Sequence, residues 1–210
     1  MQADIAKGGD GRENILIADD DLELAPRVES ALADRGYNVF ITPELVRAKA
    51  QLRRWELEGP EHRDYAVVII DMDFPDGDAH ASGRPNDLGM EIFREALQNP
   101  FLEPVIATAF PKLETAIRAA NQGSFRYLVK DEHFIGRLVY VVEAAVETRR
   151  ALLRMYGKLI ELRKIHGDLL AGGASGRLID DAQDSVRVIE QGFVSMLKSR
   201  GKEPPPALHR

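Results

Sequence analysis

The chain has 210 residues, 44 % hydrophobic and 30 % charged, with a formal net charge of −6. That is ordinary for a globular protein with a core of its own. It has no cysteine, which excludes disulfides, thiolate metal sites and cysteine nucleophiles and agrees with a reducing, cytoplasmic location. No apolar run approaches the roughly 20 residues of a membrane span, and the opening MQADIAKGGDGREN lacks an apolar signal core, so residues 1–12 read as a flexible polar tail.

The next 136 residues alternate short apolar runs with amphipathic stretches. Asn14–Ala18 (NILIA) reads as a buried strand. Leu24–Arg35 carries Leu24, Val28, Ala31 and Leu32 at helical spacing, and Gly36 is placed to end that helix. Tyr37–Ile41 is the second strand. Thr42-Pro43 opens a helix to about Leu57, which Gly59-Pro60 closes. Tyr65–Ile70 is the third and most apolar strand, followed by a loop over 73–87 and a helix over Leu88–Leu97. Pro104–Ala109 is the fourth strand, Lys112–Asn121 the fourth helix and Phe125–Val129 the fifth strand. A long helix begins near Asp131. Strands without alternation, separated by helices, predict a doubly wound α/β domain with a five-stranded parallel sheet.

In such sheets ligands bind beyond the carboxyl ends of the strands. Asp19, Asp20 and Asp21 follow the first strand, Asp71 the third with Asp73 two further on, Thr108 ends the fourth and Lys130 follows the fifth. Carboxylates gathered on one edge repel one another, and a hard divalent cation such as Mg²⁺ relieves that repulsion. One carboxylate could then attack phosphorus, with the cation, the lysine and the threonine stabilising the phosphoryl oxygens. Taken singly, each residue has a plainer reading. The acid triplet could cap a helix, Thr108 could be a strand former, and Lys130 could be a surface lysine lying past its strand. Their joint placement on one edge is what argues for chemistry.

The segments ILIADDD, VVIIDMDFP, VIATA and YLVK, in that order, resemble the receiver domain of two-component response regulators over about residues 13–148. The resemblance implies a flavodoxin-like fold with Asp71 as phosphoacceptor, supplied by a sensor histidine kinase or a histidine phosphotransfer protein. It makes Asp20 the principal Mg²⁺ ligand with Asp19 beside it, and Asp73 a ligand through its backbone carbonyl. Thr108 and Lys130 would engage the acyl phosphate, and Tyr127 would be the aromatic that swings inward when Thr108 moves. No enzymatic activity is implied beyond self-phosphorylation and autodephosphorylation. Three features depart from the family pattern. Asp131 stands where a proline usually follows the lysine, which puts an extra acid near the phosphate site. A loop of roughly ten additional residues, DGDAHASGRPND, carries Asp76, Asp78 and His80 and precedes Leu88-Gly89, which fills a glycine position of the family. Asp73 is itself acidic.

Residues 149–210 carry 12 basic and 7 acidic side chains, against 16 and 27 in residues 1–148. A charge asymmetry of this kind suggests two functional parts. Val141, Ala145, Thr148, Leu152, Met155, Leu159, Leu162, His166 and Leu169 step by four and three as in a coiled-coil seam. Gly172–Gly176 breaks that helix, and a second follows with Leu178, Ala182, Ile189, Phe193 and Met196 or Leu197 on one side. The expectation is a helical hairpin over 149–200 that serves dimerisation or output, then a disordered tail over 201–210. A homodimer through these helices is expected, and a nucleic-acid or membrane partner is not. His166 on the seam reads as packing rather than as a phosphotransfer histidine. Two alternatives stand beside the receiver reading. One is a haloacid-dehalogenase-like phosphatase that uses Asp71 and Asp73. The other is a transcriptional regulator that binds DNA through the basic tail.

Overall fold

The computed structural model describes residues 11–58, 65–74, 88–123, 126–173 and 175–205, without the side chains of 54–58. Most of the expected N-terminal tail lies outside the described residues, as do Asp76, Asp78, His80, Phe125 and the last five residues. Five strands, β1 (Asn14–Ala18), β2 (Asn38–Thr42), β3 (Tyr65–Asp71), β4 (Glu103–Thr108) and β5 (Tyr127–Val129), alternate with α1 (Leu24–Ala33), α2 (Leu45–Glu58), α3 (Gly89–Gln98) and α4 (Leu113–Asn121). Two further helices, α5 (Phe134–Ala171) and α6 (Gly176–Ser199), complete the order. The strands form one sheet in the order β2-β1-β3-β4-β5, and every pairing is parallel. This is the flavodoxin-like architecture expected from the sequence.

The alternation of side chains along each strand divides the core in two. Leu16, Ala18, Val68, Ile70 and Ile106 face α2, α3 and α4 through Ala48, Leu52, Ile92, Phe93 and Ala119. Ile15, Ile17, Val67, Ile69, Val105 and Ala107 face α1 and α5 through Val28, Leu32, Leu138, Val142 and Ala145. Because both faces are covered, strands β1, β3 and β4 are buried along their full length, apart from half-buried Tyr65. The local signals act as expected. Asp21 Oδ1 accepts from the N–H groups of Glu23 and Leu24 at the start of α1, and Gly36, at φ +82°, ends that helix.

α5 runs without interruption from the α/β domain into the hairpin. Its face towards α6 is set one residue away from the expected seam at alternate positions. Leu152 and Leu159 are buried as expected, but Tyr156 rather than Met155 packs on Phe193, with ring centroids 5.8 Å apart, and also meets Phe101 at 5.3 Å. Met155 is 37 % exposed. Arg163, not Leu162, reaches across to Glu190 at 2.8 Å. Arg149 takes the place expected for Thr148 and is fully buried. It donates to Glu13 Oε2 (2.8 Å) and to the Phe101 carbonyl (2.9 Å), and Arg150 holds the other Glu13 oxygen at 3.0 Å. On α6, Phe193 and Leu197 are buried, whereas Leu178 is half exposed and does not share in that core.

The segment after α6 corrects the expectation of disorder from residue 201. α6 ends in a Schellman turn: the Gly201 N–H bonds the Lys198 carbonyl and the Lys202 N–H the Leu197 carbonyl, each at 3.0 Å. The chain then packs against the amino end of the sheet, with Lys202, Pro204 and Pro205 buried. Burial, assisted by the neighbouring Arg200 and Arg126, brings the Lys202 ammonium down to about 8 despite its pairing with Glu103. Polar composition and three prolines suggested a free tail. Two hydrogen-bonded carbonyls and a buried carboxylate hold the segment instead.

Breaking one partner of a buried ion pair leaves an uncompensated charge. Arg149→Ala is therefore expected to destabilise the protein by on the order of 3 kcal/mol in urea denaturation, with Arg150 limiting the loss. The Glu13→Gln, Arg149→Met double variant is expected to recover most of it.

Candidate phosphoacceptor site at the carboxyl edge of the sheet

The site is built by strand endings. β1 and β3 are adjacent, so Asp19 and Asp20, just past β1, come beside Asp71, the last residue of β3. One carboxylate oxygen from each of Asp19, Asp20 and Asp71 lies within 4.8 Å of the others. Lys130, just past β5, reaches over β4 and donates to Asp19 Oδ2 and Asp71 Oδ2, both at 2.8 Å. The same edge holds Thr108, buried at the end of β4, whose Oγ1 accepts from the Phe110 N–H at 3.1 Å. The Lys130 N–H bonds the Thr108 carbonyl at 2.8 Å, so the two residues are also joined through the backbone. Gly89, at the start of α3, presses against the other side. A Cβ there would lie 1.9 Å from the Asp71 carbonyl oxygen, which gives the family glycine position a steric reason.

Charge and burial work against each other. Asp71 is 6 % exposed. Burial, opposed by Lys130 and reinforced by Asp19, pushes its carboxyl up from 3.8 to about 6. Asp19 is likewise raised by burial, although Lys130 and the Asp21 N–H oppose the shift. Burial alone would lower Lys130, but the two carboxylates outweigh it and hold its ammonium above the ordinary value. With all groups ionised, three carboxylates and one ammonium carry a formal charge of −2, which one divalent cation balances. The donors are hard carboxylate oxygens on one edge, so the residues present fit Mg²⁺.

The structure sorts the acids that the sequence offered together. Of the triplet, Asp19 and Asp20 belong to the cluster of carboxylates and Asp21 caps α1. Asp73 lies outside that group of ligand oxygens. Its N–H donates to Asp71 Oδ1 at 3.3 Å. Asp131, the acid next to Lys130, accepts from the His133 N–H (2.9 Å) and pairs with Arg137 (2.8 Å) at the start of α5. No cis peptide bond occurs among the described residues. Tyr127 lies half-buried against the α2–α3–α4 side of the core, in register with Ile106. His166 is half-buried, its Nε2 enclosed and without a hydrogen-bond partner among the described residues, beside an open groove that Arg163 and Glu190 also line.

No family model matches the sequence. The chain is 31 % identical over 140 residues to the transcriptional regulatory protein ZraR of Salmonella typhimurium, covering 67 % of this chain and 28 % of that protein. It is 30 % identical over 136 residues to the DNA-binding transcriptional regulator NtrC of Rhizobium meliloti, covering 65 % and 25 %. Among solved structures it is similar to a CheY-like response regulator receiver domain from Methanospirillum hungatei, with a TM-score of 0.53, 19 % identity and coverage of 67 % of this chain and 98 % of that one. It is equally similar to the signal receiver domain of a putative Luxo repressor protein from Vibrio parahaemolyticus, with a TM-score of 0.53, 20 % identity and coverage of 67 % and 94 %.

The sheet and its helices therefore have the fold of the CheY-like receiver domains of response regulators. In this chain that domain continues into a helical extension, α5 and α6. The chain spans about a quarter of the length of the curated relatives it matches. The relatives' names set the expectation of no nucleic-acid partner in doubt. No helix among the described residues is long and apolar enough to cross a membrane.

Because the folded pKa of Asp71 is raised, the stability linked to this group is fully present below about 3.8 and is lost as pH rises through about 6. Without divalent cations, stability is expected to fall across that window. At pH 7.5 Asp71→Asn should exceed the parent by about 1–3 kcal/mol. Millimolar Mg²⁺ should stabilise the parent and close the gap. Chemical denaturation at several pH values, with and without a chelator, measures both effects.

Proposed function

We propose that Asp71 accepts a phosphoryl group from a histidine kinase or histidine phosphotransfer protein, and that the chain passes the resulting change on through its helical C-terminal region. The support is one arrangement: the Lys130 ammonium bridging Asp19 and Asp71, with Asp20 beside them. Asp71 Oδ attacks phosphorus. A P–O bond forms as the P–N bond to the donor imidazole breaks, and the imidazole leaves carrying a proton. Asp20, Asp19 and Asp71, together with the Asp73 carbonyl, would hold Mg²⁺, which when bound supplies positive charge to the phosphoryl oxygens. Lys130, already on the Asp71 oxygen, turns its ammonium to the new acyl phosphate. Thr108 exchanges its bond to the Phe110 N–H for a phosphoryl oxygen, and Tyr127 moves into the space that Thr108 vacates. The active arrangement is favoured only as far as the acyl phosphate contacts it better than the resting one.

The dehalogenase-like alternative needs the Asp73 carboxylate at the reacting centre, and among the described residues the ligand-oxygen group does not include it. Acetyl phosphate with Mg²⁺ is expected to label the protein stoichiometrically. Asp71→Asn should abolish the label, and Lys130→Ala should slow labelling on the order of a hundredfold. Sustained turnover of a phosphate ester, or undiminished labelling of Asp71→Asn, would overturn the proposal.

The partner proposed for the hairpin is a second copy of the chain. Ile160, Ile165, Leu170, Leu178 and Val188 remain at least 41 % exposed along α5 and α6, and two hairpins could cover them as a four-helix bundle. Light scattering should report a dimer that Ile165→Glu with Leu170→Glu converts to monomer. A monomer with and without beryllofluoride would exclude this arrangement, and a salt-dependent shift of duplex DNA would point to DNA output instead.

A further inference from the structure

Two of the strands that carry the acidic edge end, on the opposite side of the sheet, in a second ionic cluster. β4 holds Thr108 at its carboxyl end and Glu103 at its amino end. β5 lies between Lys130 and Arg126. Glu103 is fully buried and receives Arg126 at 2.7 Å, Lys202 at 3.2 Å, and Arg200. Arg126 also reaches Thr148 of α5 at 2.9 Å. Lys202 is fixed by the Pro100 (3.2 Å) and Leu102 (2.5 Å) carbonyls just before β4.

The backbones meet as closely as the side chains. A Cβ on Gly201 would lie 1.9 Å from the Gln122 carbonyl oxygen, and one on Gly123 would lie 2.1 Å from the Arg200 carbonyl carbon. Both glycines have positive φ, +66° and +88°. The turn that ends α6 is thus seated on the turn that ends α4, and no side chain could fit between them.

We propose that Arg200–Lys202 form a latch that holds α6 on α5, and that its release is coupled to the state of the Asp71 edge through β4, β5 and the Gln122–Gly123 turn that ends α4. The coupling presupposes that Asp71 is the phosphoacceptor. A strand has little slack, at about 3.3 Å per residue. A displacement of Thr108 or Lys130 is therefore felt at Glu103 and Arg126 as well as at α4. The latch cannot follow gradually, because its lysine has fixed acceptors and its glycines are in backbone contact. It is seated or it is not. Unseating it frees α6 to leave the face formed by Leu152, Tyr156 and Leu159, and exposes Phe193 and Leu197, which are fully buried here. Coupling of this kind is reciprocal, so weakening the latch must also favour occupation of the acidic edge.

Hydrogen exchange on the full chain tests this, with beryllofluoride and Mg²⁺ as the acyl-phosphate mimic. Amides of residues 186–202 are expected to exchange at least tenfold faster with the mimic than without it. Lys202→Met and, independently, Gly201→Val should give that fast exchange without the mimic while α1–α3 stay protected. Both variants should also label with acetyl phosphate several-fold faster than the parent. A mimic-dependent change confined to residues near Thr108 and Lys130, with α6 unmoved, overturns the coupling alone, as does an unchanged labelling rate in both variants. No change anywhere, with Asp71 unlabelled, overturns the phosphoacceptor reading and the coupling with it. In that case the two variants would still loosen α6, which separates the two failures.

Discussion

Three carboxylates at the end of a parallel sheet share one ammonium, and the rest of the structure is arranged around that imbalance. Lys130 reaches Asp19 and Asp71 at 2.8 Å each, which satisfies one charge and leaves a formal −2 among Asp19, Asp20 and Asp71. A parallel sheet covered on both faces forces this crowding, because the carboxyl ends of its central strands converge where helices cannot cover them. The fold supplies the geometry and the acids make it costly. Burial raises Asp71 to about 6, so its charged form gains from any positive charge brought to this edge. It is a local conflict of the kind that marks functional positions in an otherwise self-consistent chain.

The opposite edge inverts the charge balance. Glu103 is one carboxylate among Arg126, Arg200 and Lys202, and there it is the lysine that is driven towards neutrality. The basic cluster, short of anions, stands at the amino ends of β4 and β5, whose carboxyl ends place Thr108 and Lys130 beside the acidic cluster at the ends of β1 and β3. Neither could be neutralised by the other without unfolding the sheet. The basic cluster ties three sequence-distant segments together: the start of β4, the start of β5 and the end of α6. It therefore makes the helical extension part of the α/β domain's own packing.

The β/α order is legible because short β-branched runs and amphipathic stretches obey different periods; Gly36 is legible as a helix stop and the Asp71 edge as the acids that punctuate strand endings. Residue type and spacing alone did not separate Asp21 from Asp19 and Asp20, since capping and metal binding ask for the same residue type at the same place; only the family resemblance told them apart. The hairpin was legible as two helices but not in its register. A seam chosen by apolarity passes through Thr148, Met155 and Leu162, whereas the observed face passes through Arg149, Tyr156 and Arg163, and two of those are arginines whose partners, Glu13 and Glu190, lie far away in the chain. Lys202 was illegible for the same reason. A lysine among prolines at a chain end signals solvent, and only the arrival of Glu103 and two carbonyls from 100 residues earlier makes burial possible.

Long-range ion pairs are thus what local pattern cannot supply, and they decide here how the two halves of the molecule are joined. α5 alone would make the extension a rigid rod projecting from the α/β domain, since it is one 38-residue helix. A rod would report nothing about the Asp71 edge except through its first turns. Folding α6 back along α5 and seating its end on β4 and on the Gln122–Gly123 turn that ends α4 closes a loop between the two ends of the sheet. A change at Asp71 then has two physical routes into the extension, one along α5 from Lys130 and Phe134 and one along β4 and β5 to Glu103 and Arg126. The second route ends on a contact made of fixed hydrogen bonds and opposed glycines, which has no intermediate position. A small displacement at one edge can thereby become an all-or-none event at the other.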